Sequence, residues 1–320
     1  MRNVILKFSA GALAMIFAGW AIPAGAQTTG NLGTTGISYG SALAVQSIST
    51  GFGDAAGGND SGGGSELDAA YGTIQGSYLA IFLAGNVESN GNHLNVFVDG
   101  GAPGQSVLSV PATATMATMN GSIFSPGFQA TWAFDTNDFS GTFYSEEYTY
   151  AGPGALAGGY VGSVPESSTG IVPTGTLPSG GGFPAYTTLA VNNNNASTMG
   201  AFAPPGSAYP SANALAVTTG IELLIPLSQI GWTGGNINVL ADINGGGDSY
   251  LSNQFLPELP VGTGNVGGGG PFTGPSAGAF NLGSTPGAYF TVAVPEPASI
   301  GLIFVAAGAT LFGGRRRTTR

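Results

Sequence analysis

His93-Leu94-Asn95-Val96-Phe97-Val98-Asp99 alternates with period two, so Leu94, Val96 and Val98 fall on one face and Asn95, Phe97 and Asp99 on the other. So short a run, rich in β-branched and aromatic residues, predicts a strand with one buried face. Upstream, residues 78–84 place Leu79, Ile81 and Leu83 on one face in the same way. Residues 129–135, 141–150, 186–191, 215–225, 237–244 and 289–294 are further strand candidates separated by turn residues. Helix has little room: only 226–231, with a proline start and a glycine stop, suits one short turn. The expectation is an all-β body, a β-sandwich or jelly roll with Gly/Pro-rich loops.

The chain has 57 Gly and 20 Pro in 320 residues, a share at which disorder becomes a fair suspicion, but 42% of its residues are hydrophobic and the glycines fall between the strand-like runs. Residues 55–65, 173–182, 192–195 and 262–287 read as flexible stretches. The last of them reads as a linker feeding a final strand.

Charge divides the chain into a body and two ends. All six basic residues are terminal: Arg2, Lys7, Arg315, Arg316, Arg317 and Arg320. Between them lie all 16 carboxylates, one imidazole, His93, and no Cys. A body without Lys or Arg cannot neutralise phosphates, which excludes nucleic acid as a partner. Without Cys it has no disulfides, and one His leaves zinc poorly served.

Catalysis finds little support in the residues. A Ser-His-Asp hydrolase would have to use His93, and no Gly-x-Ser-x-Gly elbow follows a strand. His93 is expected at a strand edge facing water. Glu146 and Glu147, adjacent in one strand, point to opposite faces, which suits them badly as a paired acid and base. Only Glu146 with a distant carboxylate could form a glycosidase pair. No catalytic residue is assigned.

Two loops gather oxygen donors: Asp54, Asn59, Asp60, Glu66 and Asp68 in one, and Asp242, Asn244 and Asp248 in the other. Calcium is the cation such donors suit, although the second loop lacks the third Asp/Asn and closing Glu of an EF-hand. For each residue singly, an Asx-turn or strand cap is the other reading. Tyr144, Tyr148 and Tyr150 share a face at period two. They read either as a platform on which a sugar ring stacks or as a packed face with hydroxyls at its rim.

The amino terminus has the layout of a secretory signal: Arg2 and Lys7, an apolar run over 8–22, and Ala24-Gly25-Ala26 before Gln27. Residues 1–26 are therefore read as a signal peptide used by the Sec machinery and signal peptidase, and 27–293 as the exported domain with flexible insertions. At the other end, Val294-Pro295-Glu296-Pro297 leads into an apolar stretch, 298–314, closed by Arg315-Arg316-Arg317. As a helix that stretch spans about 25 Å, at about 1.5 Å per residue, slightly less than a hydrocarbon core of about 30 Å. The arginines hold its end in the cytoplasm.

This tail, 294–320, resembles the PEP-CTERM sorting signal that membrane-embedded exosortases recognise in Gram-negative bacteria. The resemblance implies a transient inner-membrane span, cleavage near Pro295 to Pro297, and release to the cell surface or extracellular matrix. Members of that family often accompany exopolysaccharide production.

In the body, Ser65-Glu66-Leu67-Asp68-Ala69-Ala70-Tyr71, then residues 76–86 and 92–99, look like the opening sheet of family 9 carbohydrate-binding modules and DOMON-like domains. Residues 220–227 and 237–244 resemble that fold's later strands, and Gly/Pro-rich insertions between Pro153 and Pro210 depart from it. The resemblance implies a β-sandwich and, more weakly, association with polysaccharide. The competing expectations are an acidic matrix component assembled through divalent cations and, third, a glycan hydrolase using Glu146. No cofactor is expected beyond calcium.

Overall fold

A computed structural model describes residues 28–52, 64–150, 156–166, 169–171, 187–193 and 204–294. Residues 1–26, the tract from Pro295 to Arg320 (including Glu296, Pro297 and Arg315 to Arg317), Asp54, Asn59, Asp60 and 173–182 lie outside them. Among the described residues no helix is long and apolar enough to cross a membrane.

The strands in chain order are β1 (Ala44–Val45), β2 (Glu66–Gln75), β3 (Tyr78–Asn86), β4 (Asn90–Asp99), β5 (Trp132–Phe139), β6 (Thr142–Tyr150), β7 (Leu156–Pro165), β8 (Thr169–Ile171), β9 (Thr188–Val191), β10 (Gly220–Pro226), β11 (Ile237–Asn244), β12 (Leu251–Leu256) and β13 (Phe290–Val292). They form two antiparallel sheets, one in the order β1-β2-β3-β10-β9-β8 and one in the order β12-β11-β4-β5-β6-β7, with β13 also pairing β11. The chain is therefore all-β. Its only described α-helix is the single turn Ser211–Ala214; Pro226 ends β10, and residues 227–231 form turns.

Alternation explains the first layer of packing. Leu79, Ile81 and Leu83 of β3, Ile221, Leu223 and Ile225 of β10, Leu94, Val96 and Val98 of β4, and Val239 and Ile243 of β11 all belong to one buried cluster between the sheets. Trp132 and Phe134 of β5 join it with rings stacked at 5.7 Å. Each fully buried aliphatic or aromatic side chain contributes about 1.5–3 kcal/mol by leaving water.

The opposite faces do not meet water either. Phe97, on the outer face of β4, packs edge-on against Phe124 at 5.1 Å and Phe280 at 5.8 Å in a second cluster with Met116, Met119, Phe128 and Phe255. The stretch 262–287, expected as a flexible linker, is part of this cover: Val266, Ala279, Phe280 and Leu282 are buried. Its apolar residues are spaced too irregularly to show a period, but they are enough to anchor it.

The outer face of the first sheet is closed by the amino-terminal segment. Ile37 and Tyr39 pack with Ala69, Tyr71, Phe82 and Leu224. Glu222 of β10, on this face and fully buried, accepts hydrogen bonds from the Thr29 N–H (2.7 Å), the Gly30 N–H (3.1 Å), the Thr35 hydroxyl (2.6 Å) and the Tyr39 hydroxyl (2.8 Å). A buried carboxylate with no cationic partner is tolerated when donors converge on it in this way.

Candidate functional site

Strand register assembles a polar row that no local motif announces. Asp242 of β11 lies opposite Asn95 of β4, Asn95 opposite Asp135 of β5, and Asp135 opposite Glu146 of β6. All four point to the outer face of the second sheet, beneath its covering segments. Asp242, Asn95 and Asp135 are 0–2% exposed.

The loop after β11 folds back over the row. Gly247 (φ 63°) and Asp248 (φ 50°) take consecutive left-handed conformations, a region that favours Gly and tolerates Asp. The turn brings the Asp248 carboxylate, 0% exposed, onto the row. Ligand atoms of Asp248, Asp135 and His93 lie within 4.8 Å of one another. The Thr118 hydroxyl holds the loop from above through the carbonyls of Gly247 (3.0 Å) and Asp248 (2.6 Å).

His93 is a buried residue of a central strand, 2% exposed, and not the water-facing edge residue expected. Its Nδ1 lies 2.7 Å from Asp135 Oδ1 and 3.7 Å from Asp248 Oδ2, while its Nε2 accepts the Gly247 N–H at 3.1 Å. Burial works against a charged ring and the Asp135 and Asp248 carboxylates work for one, a balance of charges that by itself favours the protonated form. The Gly247 bond favours the opposite form, because an imidazolium would set two N–H groups against each other. The backbone geometry decides for the neutral ring with its proton on Nδ1, donated to Asp135.

That leaves the carboxylates without a compensating charge. Both side-chain oxygens of Asp242, both of Asp248 and Oδ1 of Asn95 are buried with no hydrogen-bond partner. Burial first, and the neighbouring carboxylates second, push the pKa values of Asp242 and Asp248 well above the usual range. An arrangement of this kind is balanced either by protons or by a hard cation.

Comparison with protein families, curated proteins and solved structures finds no match to this chain.

Other candidates from the sequence resolve differently. Asn244 is no ligand: its Oδ1 accepts the N–H groups of Gly245 and Tyr250, each at 3.0 Å, and its Nδ2 donates to the Gly278 carbonyl at 2.9 Å. That is the Asx-turn reading. Glu66 and Asp68 are buried on β2 of the other sheet and take no part in the row, lining a small hollow with Gln46, Thr50 and Gln254. Asp135, Asn95 and His93 carry the site with Asp242 and Asp248. Their only sequence signal is a polar residue on the outward beat of strands whose inward beat is apolar.

Glu146 and Glu147 do point apart. Glu146 accepts the Thr115 N–H (3.0 Å), the Thr115 hydroxyl (3.0 Å) and the Tyr148 hydroxyl (2.6 Å), so it caps the 3-10 helix Thr115–Met119 and ties that cover to β6. Glu147 is buried between the sheets, where burial raises its pKa to about 7.

Of the two readings of the tyrosine face, Tyr148 and Tyr150 follow the packed one, and the three-residue platform is corrected. Tyr148 and Tyr150 are each 2% exposed and belong to the apolar cluster under the cover, so only Tyr144 meets solvent. Among the described residues the cover ends before the far strands of this face, where Phe139 (60%), Tyr144 (42%) and Tyr160 of β7 (49%) are exposed. Tyr144 sits opposite Asn137 and Ser163, and Tyr160 opposite Glu146, one outward position along from Tyr144. A hollow of about 500 Å³ lined by Pro260, Val261, Pro271 and Phe272 has no ionisable side chain in its wall.

Proposed function

We propose that the chain is an exported, non-catalytic surface or matrix protein of a Gram-negative bacterium, whose β body associates with extracellular polysaccharide. Export rests on the signal peptide read at 1–26. Sorting rests on the tail at 294–320, with Val294-Pro295-Glu296-Pro297, the single spanning helix and Arg315-Arg316-Arg317 offered to an exosortase.

The observation that carries the binding reading is the uncovered aromatic face of β5, β6 and β7. Among the described residues, covering segments bury Phe97 and Phe82 on the outer faces of the two sheets, whereas Phe139, Tyr144 and Tyr160 remain exposed beside Asn137 and Ser163. Aromatic rings present flat apolar faces to the C–H side of a pyranose, while amide and hydroxyl groups at their edges meet its hydroxyls. A non-catalytic role is supported by the bonds that occupy Glu146, the carboxylate a glycosidase would have needed free.

Retention of the full-length protein, solubilised in detergent, on immobilised matrix polysaccharide of the producing cell tests this reading. Tyr160→Ala and Tyr144→Ala are expected to weaken retention about tenfold or more with an unchanged circular dichroism spectrum. Retention equal to the parent in both variants would remove the proposed face.

A further inference from the structure

The row of polar residues on the outer face of the second sheet has no part in the polysaccharide reading and calls for its own explanation. An acidic cluster alone signifies little, since exposed carboxylates need only water. Here both carboxylate oxygens of Asp242 and of Asp248 and the amide oxygen of Asn95 are fully buried with no hydrogen-bond partner within 3.5 Å, and Asn95 stands between Asp242 and Asp135 in the register with its Nδ2 turned to Asp135 at 3.2 Å. Burial of polar groups left unpaired is unfavourable, and both oxygens of two carboxylates are so placed here, in contrast to Glu222, which gathers four donors. The body supplies no Lys or Arg to answer them.

We infer that Asp135, Asp242 and Asp248 form a buried site for a single calcium ion, joined by the Oδ1 of Asn95 once its amide, which now donates to Asp135 at 3.2 Å, turns over, with His93 as a positioning residue and not a ligand. The donor set consists entirely of oxygens, three of them from carboxylates, which is the set a hard divalent cation selects. His93 could serve as a nitrogen ligand only through a ring nitrogen free of a proton. Nδ1 keeps its proton and donates a hydrogen bond to Asp135, and Nε2 accepts from the Gly247 N–H. The imidazole thus bridges the sheet to the loop Gly245-Gly246-Gly247-Asp248, fixing Asp248 over the row. The exposed glycines Gly246 and Gly247 form the outer wall of the site and offer the ion its way in.

The assignment separates calcium from zinc. A site with His93 as ligand would favour zinc, whereas an oxygen-only site favours calcium and is indifferent to the imidazole as long as its two hydrogen bonds are kept. Glutamine keeps both, since its amide N–H can donate to Asp135 and its carbonyl can accept from Gly247.

The test is calorimetric titration of chelator-stripped, full-length protein in detergent with calcium chloride and, separately, zinc chloride, joined to thermal unfolding with calcium and with chelator. The expected result is one calcium per chain, an unfolding midpoint several degrees higher with calcium, and zinc binding at least tenfold weaker. His93→Gln should bind calcium within about threefold of the parent, and His93→Ala at least tenfold more weakly. Asp242→Asn should lose the calcium response while matching or exceeding the parent's midpoint in chelator, because it removes an unpaired buried carboxylate. Absence of both heat and a midpoint shift with millimolar calcium overturns the site. Calcium binding by Asp242→Asn at parental strength overturns the ligand set. Tighter zinc than calcium, abolished in His93→Gln, overturns the role given to His93. Should Asp242→Asn fail to fold, the calcium-dependent midpoint of the parent and the glutamine variant decide the matter.

Discussion

Replacing Glu222 with alanine strands two backbone N–H groups and two hydroxyls inside the first sheet's cover, and should cost at least about 3 kcal/mol. Glu222→Gln should cost much less, about 1 kcal/mol. Its carbonyl can still accept from Thr29 and Gly30, and the hydroxyls of Thr35 and Tyr39 can rotate to accept from its amide. Urea unfolding of the two variants reads the difference directly, and equal losses would contradict the clamp. Glu147 gives the residue-scale pH dependence. Burial lifts its pKa from 4.5 to about 7, so the folded chain keeps this proton to a higher pH than the unfolded chain does. The native state binds more protons between those values, and stability therefore falls as pH rises through that window, by about 3 kcal/mol from this group. Glu147→Gln has no such component: close to the parent near pH 4, it should be the more stable protein at pH 8. Parallel stability curves for the two proteins across that range would contradict it.

At the scale of elements, the covering segments matter as much as the strands. A Cβ on Gly278 would stand 1.9 Å from the Asp248 carbonyl, so Gly278→Ala must displace the loop that carries Asp248. The expected loss is about 1–3 kcal/mol by overpacking, together with the calcium-dependent rise in unfolding midpoint, which thermal unfolding with calcium and with chelator measures. An unaltered calcium response in this variant would show that the loop does not define the site. These segments are also where the sequence was least legible. Period-two alternation announced β3, β4 and β11 because their inward residues are uniformly apolar. It missed β12, whose Ser252, Asn253 and Gln254 are buried polar residues satisfied by tertiary partners. It also left 262–287 as a linker, because a loop anchored by Val266, Phe280 and Leu282 carries no period. The candidate site was half legible: Asp242 and Asp248 stand near one another in the chain, but Asn95 and Asp135 join them only through strand register. For Tyr148 and Tyr150 the sequence left platform and packed face both open for the same reason, since alternation gives the face of a strand but not what covers it.

For the molecule as a whole, the charge pattern remains the broadest statement. A body without a single Lys or Arg and free of Cys, with its own segments packed on the outer faces of the described sheets, is suited to standing outside the cell without disulfides. On this account the terminal segments serve as addresses removed on the way, and the bare aromatic face is what the exported body presents. Peptide mapping by mass spectrometry of the protein recovered from the matrix of the producing cell tests that claim most directly. The account predicts an amino terminus at Gln27 and a carboxyl terminus at or near Pro295 to Pro297, with nothing of the apolar stretch or the arginines. An intact peptide running through Leu311 would contradict it, leaving a protein that keeps its tail.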